Sequence, residues 1–524
     1  MKSSRLGLAV ALAWLVACTG RGSGPTNPLP QVPFVSVGTR ASLHVELPEP
    51  PVVRSIGGVA RLSLVATENY TTGQPTFAYK GVLQVIPTIV VKPGDTIDVK
   101  VTDDLPSEPP PRTAPEPMMD MGTPDTMGTP DDINLHFHGF GSSPKKPGDD
   151  VLTTLAAPGQ TLHYVVHVPG NQEPGLYWYH PHVHGETSFQ VGESGMSGAI
   201  VVEGLERHLP GLAKMKQRLI VVRATGIGDD AHPEHTNTAP CTTKDHLTVS
   251  LNDAVRPDIS IAPGEKQFFR VLNATGHKTL RLNVEGENLE LVAIDGFALD
   301  TYPGTPPTRM EPALIIPPAS RAEFVVTGPA SGHAKFRTLC YNTGPNGDPD
   351  PEILLANLRA PQGRRRAALS PEPLAVGSPL PQNVYTTQLP PPATKRVVIF
   401  SENPKPEFFI NGKAYSTKAK PMFVVHTGTV EEWHVVNVTQ EVHDFHIHQL
   451  HFLVQKINGV PVKHPFWADS FIIPHRSASG SKGVPGSLDL LMNFRDPLIR
   501  GEFLFHCHIL DHEDQGMMAK IEAI

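Results

Sequence analysis

"FHCHILDHEDQGMM", residues 505–518, places His506, Cys507, His508, His512 and Met517 in one short stretch. On an extended chain, alternate side chains face opposite ways. If "LFHCHI" is a strand, His506 and His508 share one side and Cys507 takes the other. One metal ion cannot collect all three, so the stretch serves two centres, and it needs a sheet to hold it straight.

The His-X-His spacing recurs in "HFHG" (136–139), "WYHPHVHG" (178–185) and "HDFHIHQLHF" (443–452). A single pair, spanning roughly 6.6 Å, is weak evidence because isolated matches are common. Four pairs, His136/His138, His180/His182, His446/His448 and His506/His508, are not accidental. Cys507 is then left to join His443, His512 and Met517, since two imidazoles, a thiolate and a weak thioether form the blue-copper electron-transfer set. Zinc is the rival metal, but its closed four-ligand patterns do not match. The eight remaining histidines suffice for three coppers, two with three ligands each and one with two. That requires the first and last parts of the chain to press their pairs together.

Working outward, short alternating runs such as "TIDVKV", "LHYVVHV" and "GAIVVEG", with 45 Gly and 55 Pro, predict an all-β chain with turns at short intervals. Three β-sandwich units are expected, at residues 40–205, 215–365 and 390–524. The second break is marked by the Pro-rich "SPEPLAVGSPLPQNVYTTQLPPPATK". "VIPTIVVKPGDTIDVKVTDDLP" and "PMFVVHTGTVEEWHVVNV" precede the histidines of the outer units and read as an internal repeat. "PDISIAPGEKQFFRVLNAT" has the same rhythm in the middle unit, where no His-X-His follows, so that unit reads as a bridge without metal. Residues 107–132, with Met118, Met119, Met121 and Met127, read as a long surface loop. Thioethers suit Cu(I), and low-complexity composition explains the loop equally well.

A net charge of -8 argues against a nucleic-acid partner. Lys2 and Arg5 followed by the apolar run 6–17 match an export signal. The run ends in "LVAC", similar to a bacterial lipoprotein signal, which makes residues 1–18 the signal, Cys18 the lipid-bearing residue and 19–39 a tether. The expected location is the periplasm or cell envelope, with membrane attachment through the lipid alone. Cys241 and Cys340 either pair in that oxidising compartment or stay as two thiols.

With these residues in view, the chain resembles the three-domain bacterial multicopper oxidases of laccase and cuprous oxidase type, over about residues 40–524. The family pattern H-C-H-x3-H-x4-M appears as His506-Cys507-His508, His512 and Met517. The resemblance implies three tandem cupredoxin-like Greek-key β-sandwich domains and four coppers per chain. His443, Cys507, His512 and Met517 correspond to the type 1 site, His136 and His446 to type 2, and His138, His180, His182, His448, His506 and His508 to the type 3 pair. It further implies one-electron oxidation of a phenol or a metal ion such as Cu(I) at type 1, coupled to four-electron reduction of dioxygen to water. Glu513 and Asp149 correspond to carboxylates that relay protons near the trinuclear centre, with Asp150 the alternative to Asp149. The chain departs from the pattern at His443-Asp444, where the family often has His-Pro, and at "HQLHF", where a shorter His-Gly-His-x-Phe ending is usual. His184 and His451 are extra histidines, expected behind the ligands or on the surface, and Glu441 reads as a solvated charge or a contact for the donor. Two other functions compete: a copper-buffering protein without turnover, which would lack some trinuclear ligands, and a copper nitrite reductase, which would have two units and a simpler type 2 site. The donor and the oligomeric state are not encoded legibly.

Overall fold

The three glycine-punctuated phrases fold alike. Each gives a short strand, a turn and a long strand: Thr88–Val91 then Thr96–Asp104, Asp258–Ser260 then Lys266–Asn273, and Phe423–Val425 then Thr429–Asn437. Gly94, Gly264 and Gly428 occupy the turns at φ of 91°, 72° and 87°, a region that costs a side-chain-bearing residue strain. In each case the long strand runs parallel to a preceding one: Val59–Glu68, Lys216–Thr225 or Thr394–Glu402. The computed structural model describes residues 45–70, 72–107, 128–226, 241, 247–348, 350–361, 374–403, 407–477 and 483–524. Cys18 and Met118, Met119, Met121 and Met127 lie outside them.

Among the described residues there are six sheets, two in each unit: five and five strands, then seven and five, then six and five. Alternation explains the pairing of faces. In Thr96–Asp104, Ile97, Val99 and Val101 are buried, and they meet Ile89, Tyr179 and Ile200 of the opposite sheet. The middle core sets Phe269, Val271 and Phe324 against Leu282, Phe336 and Leu358. The last sets Trp433, Val435 and Leu490 against Phe445, Phe503 and Phe505. Cys241 and Cys340 form a disulfide, which resolves the sequence alternatives in favour of pairing.

Smaller clusters weld the units together. Leu176 and Trp178 of the first unit pack with Val221 and Leu272 of the middle one and Leu510 of the last. The Pro-rich segment is not a free linker over its described part. Tyr385 is buried beside Phe297 and Trp467, and Asn383 donates to Glu173 Oε1 at 2.8 Å. The composition foretold irregular backbone; it did not reveal that an aromatic anchor pins it down.

Candidate metal centre

Two pairs of neighbouring strands build the site. His136–His138 lies beside Gly175–His180 with His136 opposite His180, and His443–Ile447 lies beside Gly501–Cys507 with His446 opposite His506. The strand at 501 ends at Cys507, two residues short of the expected run, yet the alternation holds through His508. The two halves meet ring on ring: His136 stacks on His448 at 3.9 Å and His138 on His446 at 4.0 Å.

All eight imidazoles are buried, and they sort into groups. His138, His180 and His508 bring ring nitrogens within 4.8 Å of one another, and so do His182, His448 and His506. His136 and His446 are left as a pair that shares His138's neighbourhood. Each trio draws on both outer units.

Most of these rings are held by one nitrogen and bare at the other. His138 Nε2 meets Asp469 Oδ1 at 3.1 Å, His180 Nδ1 donates to Pro181 O at 2.7 Å, and His446 Nδ1 donates to Asp469 O at 2.8 Å. His136 Nε2, His138 Nδ1, His180 Nε2 and His446 Nε2 have no hydrogen-bond partner, and neither nitrogen of His508 has one. The Nε2 atoms of His182 and His448 lie 3.4 and 3.2 Å from His506 Nε2, converging on a common point. Orphaned buried nitrogens cost free energy unless something accepts their lone pairs. Burial also disfavours the imidazolium: it holds His138 down to about 4, His506 to about 3, and the other six well below the usual histidine range. Neutral rings with inward lone pairs are what a cluster of cations requires.

On the other face of the Gly501–Cys507 strand, His443 Nδ1 and His512 Nδ1 lie 3.0 Å apart, with Cys507 Sγ at 3.8 and 3.7 Å. Thr439 Oγ1 fixes His443 at Nε2 (3.0 Å), and Phe408 stacks on His512 at 4.2 Å. Burial pushes the Cys507 thiol up and His443 down to about 3, so the thiolate needs a cation beside it. Met517 is buried in the same core, and its N–H donates to His512 O at 2.9 Å. A thiolate, two imidazoles and a nearby thioether fit copper.

Of the expected carboxylates, Asp149 meets His136 Nδ1 at 3.0 Å, accepts from Phe137 N–H at 2.9 Å and from Gln449 Nε2 at 2.8 Å. Burial raises it to about 8. Asp150 instead caps the turn through the N–H groups of Leu152 and Thr153, so the alternative is dismissed. Glu513, fully buried, sits 3.6 Å from His182 Nε2 and 3.2 Å from His506 Nδ1, and accepts from Thr187 Oγ1 at 3.2 Å. Burial and then the neighbouring Asp514 push it well above the carboxylate range.

One expectation needs correction, and the two extra histidines find their places. Glu441 is not solvated: it is buried, Oε1 lies 3.6 Å from His512 Nε2, and Glu402 hydrogen-bonds to it. Of the two places expected for His451 it takes the one behind the ligands: it donates to Asp295 O at 2.8 Å and lies 3.2 Å from Asp469, the carboxylate that meets His138. His184 is buried and packs edge-on against Tyr415. Gln449 stands at φ 66°, the conformation a glycine after His448 would adopt freely, and its amide holds Asp149.

Sequence reasoning missed Asp469, Arg321 and Asp295. Arg321 of the middle unit forms a two-pronged pair with Asp469 at 2.7 and 2.6 Å, and all three side chains are fully buried. Asp295 accepts from Arg321 N–H at 2.8 Å and Asp469 N–H at 3.2 Å. The middle unit therefore braces the carboxylate that grips His138. A signal existed: a lone aspartate in the apolar "HPFWADSFIIP" has to be paired.

Fold and ligand sets together define a copper protein built of cupredoxin-like sandwiches. A family profile described as multicopper oxidase matches residues 388–523, and a second of the same description matches 127–207. The chain is 23% identical to the multicopper oxidase mco of Staphylococcus aureus over 459 residues, 85% of this chain and 83% of that one. It is 24% identical to a laccase of Bacillus subtilis over 396 residues, covering 68% and 72%. Among solved structures, the McoA multicopper oxidase of Aquifex aeolicus superposes with a TM-score of 0.67 at 19% identity, over 91% of this chain and 99% of that one. The Campylobacter jejuni multicopper oxidase, a metallo-oxidase, gives 0.64 at 22% over 92% and 98%. The profiles, the relatives and the ligand sets together support a multicopper oxidase, a copper-dependent oxidoreductase that uses dioxygen. Neither the buffering protein nor the nitrite reductase is favoured.

Proposed function

We propose that the chain holds four coppers and oxidises a reduced metal ion such as Cu(I) or Fe(II) in preference to a phenol. In this reading His443, Cys507, His512 and Met517 would hold the type 1 copper. His136 and His446 form type 2, while His138, His180, His508 and His182, His448, His506 form the type 3 pair. The convergence of bare ring nitrogens in these groups carries the assignment. Bound copper supplies the one-electron steps that match a one-electron donor to a four-electron acceptor. The protein's share is wiring, protons and choice of donor. Cys507 is covalently adjacent to His506 and His508, and His506 Nδ1 donates to Cys507 O at 2.8 Å, a short path between the two centres. Asp149 and Glu513 are buried acids against the cage, and burial favours the protonated form of each, which suits them to deliver protons.

The donor preference rests on Glu441, 3.6 Å from His512 Nε2 and hydrogen-bonded to Glu402: two carboxyl groups that share a proton offer oxygen ligands to a cation that displaces it and do little for a phenol. An exported, envelope location anchored at Cys18 is part of the proposal, supported by the signal-like start and by the Cys241–Cys340 disulfide, a bond that persists in oxidising compartments. Metal analysis should return four coppers per chain. Oxygen uptake with Cu(I), Fe(II), Mn(II) and a phenol offered in turn tests the rest. Glu441→Gln should raise KM for the preferred cation and leave the phenol unchanged; equal effects on both would refute the preference.

A further inference from the structure

We propose that the backbone N–H of Asp444 tunes the type 1 site: its hydrogen bond to Cys507 Sγ raises the reduction potential of the copper held there. This rests on the type 1 assignment above. The N–H lies 3.4 Å from the sulfur, and both residues are buried, so no water competes for the bond. The carbonyl of Asp444 faces the same way, accepting from His508 N–H at 2.9 Å. The amide therefore spends its donor on the sulfur and not on a carbonyl of a neighbouring strand.

Thiolate donation stabilises oxidised copper, and hydrogen bonds to that sulfur weaken the donation, leaving the reduced state favoured. Ile509 supplies a second N–H to the same sulfur. The first is the one at which the sequence departs from the pattern described above. Proline, found there in that pattern, has no N–H to give. The departure His443-Asp444 thus adds a donor to the copper ligand. The carboxyl of Asp444 is a separate matter: both its oxygens are buried without a hydrogen-bond partner, and the variants below divide its effect from that of the amide.

The test is redox titration of the copper-loaded enzyme. Asp444→Pro is expected to shift the type 1 equilibrium about tenfold toward the oxidised state, ~59 mV for a one-electron couple, and to move the sulfur-to-metal absorption band. Asp444→Ala keeps the amide and should move the potential by much less; an equal drop in both variants overturns the inference. A strand proline can unfold the unit, so a second measurement uses the parent sequence. With 15N-aspartate labelling, pulsed EPR should detect a nitrogen coupled to type 1 copper, lost in Asp444→Ala, whose amide is unlabelled. A parent protein that shows the visible band without that coupling overturns the inference. A parent that lacks the band overturns the type 1 assignment instead.

Discussion

Replacing Arg321 with methionine should expose how far the middle unit supports the metal cage. Asp469, fully buried, receives two guanidinium bonds at 2.7 and 2.6 Å and is closed off from bulk solvent. Breaking a buried pair by removing one partner costs about 3–5 kcal/mol, because the remaining charge is stranded. The pH dependence has a definite sign. Burial opposes ionisation of Asp469, but Arg321 and then the nearby histidines hold its carboxyl well below the usual range. In the parent protein its contribution is present above the unfolded value near 3.8 and is lost only as pH falls below that. Without Arg321 the same carboxyl is raised by burial, so the variant loses stability as pH rises above that value. The gap between the two proteins should therefore widen from about pH 4 upward and level off once Asp469 ionises in the variant. Urea unfolding of the metal-free proteins at several pH values measures this. A gap below about 1 kcal/mol at pH 7, or one that is constant between pH 4 and 7, would refute the role given to the pair.

Other perturbations separate the remaining parts. Asp149→Asn should slow oxygen uptake by about 10²-fold while anaerobic bleaching of the type 1 band by a donor stays unchanged. Since Asp149 keeps its proton up to about pH 8, oxygen uptake by the parent enzyme should decline above that pH, as a pH–rate profile will show. Gln449→Gly relieves a left-handed residue but loses one hydrogen bond to Asp149, so unfolding free energy should change by less than about 1 kcal/mol. Because the Gln449 amide lowers the Asp149 pKa, that variant's alkaline decline should move to higher pH. Cys241→Ser opens a bond between residues 99 apart in sequence and should cost about 2–5 kcal/mol in denaturant unfolding, with the visible band retained.

What could be read in advance was local. The strand-turn-strand phrases encode the sandwiches because alternation and positive-φ glycines act over a few residues. The His-X-His pairs encode the cage because strand geometry fixes their facing. What escaped depends on contacts across the chain: His138 and Asp469 are 331 residues apart and Arg321 and Asp469 148 apart, and no spacing rule links them. Glu441 was misjudged for the same reason, since burial by another segment leaves no mark on its neighbours in sequence. Asp444 and Gln449 were noticed as departures, but their roles needed the positions of the Cys507 sulfur and the Asp149 carboxylate.

The division of each imidazole trio between the outer units has a consequence for the life of the chain. No single sandwich, folded by itself, can gather three ring nitrogens from the His-X-His pairs around one ion in this arrangement. A half-assembled molecule therefore offers no finished dioxygen-reducing cluster, and reactive chemistry is withheld until docking has enclosed it.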